Sequence, residues 1–169
     1  DLLNESDIDG VIICSPSKYH VSQIKSLSEL TKNIFCEKPL GLSIEEILDV
    51  KSLVSKKNLN LHIGFNRRYD PDFSELKWRI LNDEIGDLHM IKITSRDPAP
   101  PPISYIKKSG GIFLDMTIHD FDMVKYLSGS EISELYVKGG CFVDPEIEKA
   151  KDVDTAIINM SLKNGVLAT

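Results

Sequence analysis

Glu37-Lys38-Pro39 closes an apolar run, and about eighty residues later Asp115 and His119 lie four apart. A lysine ammonium steadies negative charge developing on an oxygen. An imidazole titrates near ~6.5 in solution, which suits a general base at neutral pH. A carboxylate fixes the imidazole's orientation and tautomer. Together the three can take the proton from an alcohol while a hydride leaves its carbon. Zinc is the other chemistry open to an Asp and a His at this spacing. No third ligand follows at a recognisable interval, so no metal is expected.

These residues need elements to position them. Asp9-Gly10 reads as a turn closing an earlier element, and Val11 to Cys14 as a buried parallel strand. Val21, Ile24, Leu27 and Leu30 recur at helical spacing, predicting a helix over 18–31. Asn33 to Cys36 is a second strand. Ser43 with Glu46 forms a capping-box pattern, and Ile44, Ile47, Leu48, Leu53 and Val54 predict one apolar helix stripe. Leu59 to Phe65 is a third strand. Strands alternating with helices imply parallel units with right-handed crossovers.

A dinucleotide-binding sheet opens with a strand, a Gly-rich turn and a helix N-terminus that holds the pyrophosphate. The sequence carries no G-x-G-x-x-G, and no acidic residue is placed to grip the adenosine ribose. Residues 1–64 are therefore read as the C-terminal portion of such a domain. Residues 65–169 are read as an incomplete α+β substrate domain with an open, largely antiparallel sheet. There a helix is predicted over 72–85, with Phe73, Leu76, Ile80 and Leu81 on one side, and a strand over 88–95. Asp97 to Pro102 cannot be regular structure, because proline removes ladder donors and restricts its predecessor. A single helix is predicted over 112–128, with Leu114, Ile118, Phe121, Val124 and Leu127 buried. Asp115, His119, Asp122 and Tyr126 follow the same period on the adjacent face. Strands are predicted at 132–142 and 153–162, with a solvated loop or short helix between them.

Four runs resemble the Gfo/Idh/MocA oxidoreductase family, and within it the inositol 2-dehydrogenases. They are Cys14-Ser15-Pro16 with His20, Phe35 to Leu40, Gly64 to Asp70, and Gly110 to Asp120. The resemblance implies that roughly two βα units, on the order of 60 residues, precede this segment. It implies NAD, with NADP open, as cofactor. It implies oxidation of a secondary hydroxyl of a cyclitol or sugar, with His119 as acid/base, Asp115 as its partner and Lys38 at the reacting oxygen. It also implies a cis Lys38–Pro39 bond, and a homo-dimer or homo-tetramer that covers the open sheet. Another sugar or diol dehydrogenase of the family, or a silent sugar- or nucleotide-binding homologue, are the alternatives.

Ser15, Pro16, Glu37, Lys38 and Pro39 follow strands at their carboxyl ends, where open α/β sheets bind ligands. The resemblance brings His20 near the dinucleotide; packing at a helix start is the other reading. Asn66, Arg67 and Tyr69 stand where the third strand leaves the sheet. An arginine there either holds a sugar hydroxyl or pairs with Asp70 or Asp72, and Arg67 and Arg68 are equivalent by sequence. Asp97 either rims the cleft or serves a turn. Asp122 is either a partner for His119 or a solvated acid. His62 and His89 are read as non-catalytic.

The chain has 169 residues, 41% hydrophobic, enough for one ordinary core or parts of two. Its formal net charge of −6 and lack of a basic run argue against nucleic acid. No apolar stretch approaches the ~20 residues of a membrane span. No signal peptide is evident, so a cytoplasmic location is expected. Cys14, Cys36 and Cys141 are far apart and form no C-x-x-C pair, so buried free thiols are expected.

Overall fold

The computed structural model describes residues 8–169, which divide into two compact units meeting at Phe65 and Asn66. The element expected before Asp9-Gly10 lies outside the described residues.

The first unit is a parallel sheet in the order β1 (Val11–Ile13), β2 (Asn33–Cys36), β3 (Asn60–Ile63). Register sets Ile13 beside Cys36 and Cys36 beside Ile63. That row shares a face with Ile34, packed against α1 (His20–Leu27) and α2 (Ile44–Lys57). Strand alternation sends Ile12 and Cys14 the other way. Ile12 and Cys14 are accordingly exposed, which corrects the expectation of a buried Cys14. Cys36 is buried, and burial, with smaller help from Glu37 and Cys14, pushes its thiol up to about 12.

The helix expected over 18–31 is shorter. A 3₁₀ turn at Ser17–Tyr19 leads into α1, and the chain turns after Ser28. In α2, Ser43 Oγ accepts from Glu46 N at 3.2 Å, as the capping pattern requires. Glu46 Oε2 reaches past Ser43 and accepts from Leu42 N at 2.9 Å. The predicted stripe is partly wrong: Ile44, Ile47 and Leu48 are exposed, and Val50 is the fully buried residue. The helix carries two apolar arcs and can turn only one to the sheet.

The second unit has a four-stranded mixed sheet in the order β4 (Met90–Ile91), β7 (Leu167–Ala168), β6 (Thr155–Leu162), β5 (Ile132–Gly140). β4 and β7 are parallel; β7–β6 and β6–β5 are antiparallel. One face packs Ile91, Met160, Leu162 and Ala168 against Val124 and Leu127 of α6 (Ile118–Ser128). The strand expected over 88–95 pairs regularly only at Met90–Ile91, although Ile93 N still donates to Thr169 O. α3 (Pro71–Leu81) is capped by Asp70 and stops short of residue 85, leaving Leu76 and Leu81 exposed. α4 (Ile103–Ser109) follows the proline-rich loop, and α7 (Pro145–Lys149) fills the segment before β6.

The single helix expected over 112–128 is broken. α5 (Gly111–Asp115) and α6 are separate, with Met116 and Thr117 between them. Thr117 N and Thr117 Oγ1 both donate to Ile112 O, at 2.9 and 2.8 Å. A bond five residues back is a π-type widening, a feature frequent at functional sites. It falls between Asp115 and His119. The burial phase after the break also differs from the expected stripe. Asp122, Met123, Val124 and Leu127 are buried, while Leu114, Ile118 and Phe121 are only partly so.

Candidate active site

In the first unit the candidate residues gather where β1 and β2 end. Ser15 and Pro16 leave β1; Glu37, Lys38 and Pro39 leave β2, and the Lys38–Pro39 bond is cis. His20 ties the two exits together. Its Nδ1 lies 2.8 Å from the Pro39 carbonyl oxygen and its Nε2 2.7 Å from that of Ser15. The ring is buried. Ser15 Oγ donates to Gln23 Oε1 at 2.5 Å. Glu37 Oε2 accepts from Lys38 N at 3.3 Å. A Cβ on Gly64 would stand 3.1 Å from the Glu37 carboxylate, so the glycine of the 64–70 run makes room for that acid. His62 stacks on Phe35, with ring centroids 5.6 Å apart. Polar main chain and an ammonium at a carboxyl edge suit a ribose and a carboxamide, so these residues fit a nicotinamide nucleotide.

In the second unit a cavity of about 700 Å³ lies between the packed sheet face and the helices. Asp97 and the prolines after it form one wall, and Asp115, Thr117 and Asp120 another. Asp115 accepts from the Tyr105 hydroxyl at 3.0 Å. His119 Nδ1 is shielded from solvent. The helix that carries Asp115 is held at its start by Asp152, whose Oδ2 accepts from Ile112 N at 3.0 Å. Gly111 has φ +76, and a Cβ there would stand 2.7 Å from Asp152 Oδ1. Only glycine suits that position.

The two arginines are not equivalent. Arg68 grips Asp122 with two bonds, Nε to Oδ2 at 2.8 Å and Nη2 to Oδ1 at 2.5 Å, and lies over the Tyr126 ring. Those bonds raise the pKa of the guanidinium. Asp122 is 8% exposed and does not line the cavity. It is neither a solvated acid nor set beside the cavity, so its polar spacing on α6 serves an ion pair in which the acid is buried and the arginine partly exposed. Arg67 donates from Nη1 to Asp120 Oδ1 at 2.5 Å, and Ser95 Oγ donates to the same oxygen at 2.7 Å. Asp70 caps α3, its Oδ1 accepting from Asp72 N at 2.9 Å and Phe73 N at 3.3 Å. Asn66 and Tyr69 are exposed in the 3₁₀ turn at Asn66–Tyr69.

Residues 1–65 match the description "Oxidoreductase family, NAD-binding Rossmann fold", and residues 73–169 match "GFO/IDH/MocA C-terminal domain". The chain belongs to the Gfo/Idh/MocA oxidoreductase family.

Within the Gfo/Idh/MocA family it is 48% identical over 168 residues to the uncharacterized oxidoreductase YrbE of Bacillus subtilis, covering 99% of this chain and 49% of that one. It is 45% identical over 167 residues to the myo-inositol 2-dehydrogenase of Thermotoga maritima, covering 99% of this chain and 50% of that one. A solved scyllo-inositol dehydrogenase from Lactobacillus casei, with bound NAD(H) and scyllo-inositol, superposes with a TM-score of 0.88 at 36% identity. That match covers 99% of this chain and 51% of the other. The chain thus spans about half the length of the relatives it matches. Among the described residues no helix is long and apolar enough to cross a membrane.

Reading the sequence missed Tyr105, Asp120, Ser95 and Asp152. Only Asp120 carried a signal, as a neighbour of His119. The others act across breaks in periodicity, where spacing carries no information.

Proposed function

We propose that the whole protein is an NAD-dependent dehydrogenase that oxidises one secondary hydroxyl of a cyclitol, with myo-inositol the foremost candidate. The observation that carries this reading is Asp115 on the wall of a cavity, with His119 just past the widened turn, in a Gfo/Idh/MocA chain. His119 takes the hydroxyl proton, and Asp115 orients and charge-stabilises the resulting imidazolium. Lys38 stabilises the alkoxide-like oxygen as the carbon gives up its hydride. The nicotinamide ring, when bound, supplies the hydride acceptor. Ser15, Pro16, His20, Glu37, Lys38 and Pro39 form the cofactor edge.

Arg67 is assigned to the substrate in preference to Arg68. The Arg68 fork is committed to a buried carboxylate, whereas Arg67 bonds an aspartate of the cavity wall. Asp97 on the other wall, with Asn66 and Tyr69, completes the proposed polyol contacts. We further assign the open sheet face, with Met90, Tyr136, Ile157 and Leu167 exposed, to the interface of a homo-dimer or homo-tetramer.

The deciding experiment is NAD+ and NADP+ reduction by the full-length protein with myo-inositol, scyllo-inositol and glucose. A rate with myo-inositol that disappears in Lys38→Ala and His119→Ala supports the assignment. Tight NADH binding with no rate on any of the three rejects the inositol reading and leaves a silent binder.

A further inference from the structure

We infer that Tyr105 is a positioning residue for Asp115, an inference that rests on the roles proposed for Asp115 and His119. Four observations converge on the phenol. Its hydroxyl donates to Asp115 Oδ1 at 3.0 Å, from a residue ten positions away on another helix. Tyr105 sits on α4, whose Ile106 and Ser109 are buried, so the helix is anchored on the side away from solvent. α4 begins at the end of the proline-rich loop, where Tyr105 N donates to Pro102 O at 2.8 Å. α4 passes into α5 through Gly110, at φ +90, so phenol and carboxylate meet across a sharp reversal of the chain.

Asp115 sits where the local backbone is irregular. It ends a helix of five residues, and the next turn is the widened one at Met116 and Thr117. A carboxylate at a helix end is less confined by its own helix than one inside an uninterrupted helix. The phenol holds one oxygen of the carboxylate, Oδ1. It also withdraws charge from the carboxylate, which moderates how strongly an adjacent imidazolium is held. Burial, and then the bond to Asp115, push the phenol's own pKa up, so it remains the donor across the neutral range. Arg96, Asp97, Asp120 and Asp152 are the other charged groups lining this cavity, besides the Asp154 carboxylate that the β5–α7 loop wraps.

Tyr105→Phe in the full-length protein removes the hydroxyl and keeps the ring. Because the side chain is half exposed, the thermal midpoint should not move. With the polyol substrate, kcat should fall about fivefold, the worth of one hydrogen bond, while KM stays within about twofold. The acidic limb of the kcat/KM profile should move to higher pH by about half a unit, because the undiluted carboxylate holds the imidazolium proton more firmly. An unmoved limb and unchanged kcat, with Asp115→Asn inactive, would overturn the tyrosine's role alone. Full turnover in both Asp115→Asn and His119→Ala would overturn the acid/base pair and the tyrosine's role with it.

Discussion

The two units hold their candidate residues in opposite ways. At the proposed cofactor edge of the first unit, His20 reaches main-chain carbonyls, of Ser15 five residues away and Pro39 nineteen away. In the second unit, side chains hold side chains over long stretches of chain. Arg67 and Asp120 are 53 residues apart, and Arg68 and Asp122 are 54. Main-chain acceptors exist whatever the side chains are, so the first arrangement depends on strand register and one histidine. The second depends on two partners chosen together. Its failures should therefore be larger and more selective, since removing one ionic partner strands the other.

The largest effect should separate chemistry from binding. His119→Ala should lower kcat by about 10²- to 10⁴-fold with NADH affinity unchanged, read by stopped-flow and by titration of the full-length protein. His20→Ala should do the reverse, weakening NADH binding while the turnover of the saturated enzyme persists. Equal losses in both parameters from both variants would erase the distinction between the units.

Next comes Arg68→Ala, which leaves Asp122 buried without its cation and should cost about 2–3 kcal/mol in chemical denaturation. Replacing both residues by leucine and methionine should cost less than Arg68→Ala alone. If the double variant is the less stable, the pair is not the liability described. Gly111→Ala forces a side chain onto Asp152 at positive φ and should cost about 1–2 kcal/mol. Asp152→Ala in the same background should recover part of that loss, and no recovery would mean that backbone strain alone is responsible.

The smallest effect is a local response to pH. The Asp154 carboxyl is held at about 2, below its ordinary 3.8, chiefly by Phe142 N, then by Val143 N, Asp144 N and the Thr155 hydroxyl. A lowered folded-state pKa contributes above the ordinary value and is lost as pH falls through the lowered one. The amides of Phe142, Val143 and Asp144 should keep their shifts down to about pH 4 and lose them towards pH 2, followed by NMR. Shifts already lost at pH 5 would rule out the carboxylate as their acceptor.

Legibility followed the range of the interaction. The three strands of the first unit were readable because alternation, short apolar runs and flanking turns act within a few residues. Ser43 was readable as a cap for the same reason. The proline-rich loop and the break after Ser128 also follow from local backbone chemistry. Val50 was not readable as the buried residue of α2, because two apolar arcs compete and only the sheet's position selects one. The choice between Arg67 and Arg68 was closed to sequence, since both partners lie on a helix more than fifty residues away. The break between Asp115 and His119 was invisible, because Met116 and Thr117 are ordinary helix residues and the distortion comes from bonding back to Ile112.

By itself, then, the sequence determined the alternation of strands and helices in the first unit, the Ser43 cap, the proline-rich loop, and the four motif runs that place the chain in the Gfo/Idh/MocA family. Each of these is written in backbone preferences and in residue types close together along the chain. Tertiary structure alone decided which helix face is buried, which arginine is committed to a buried acid, and that Tyr105 reaches Asp115. Those outcomes depend on side chains brought together by folding, where burial and charge pairing act between residues that no local pattern connects.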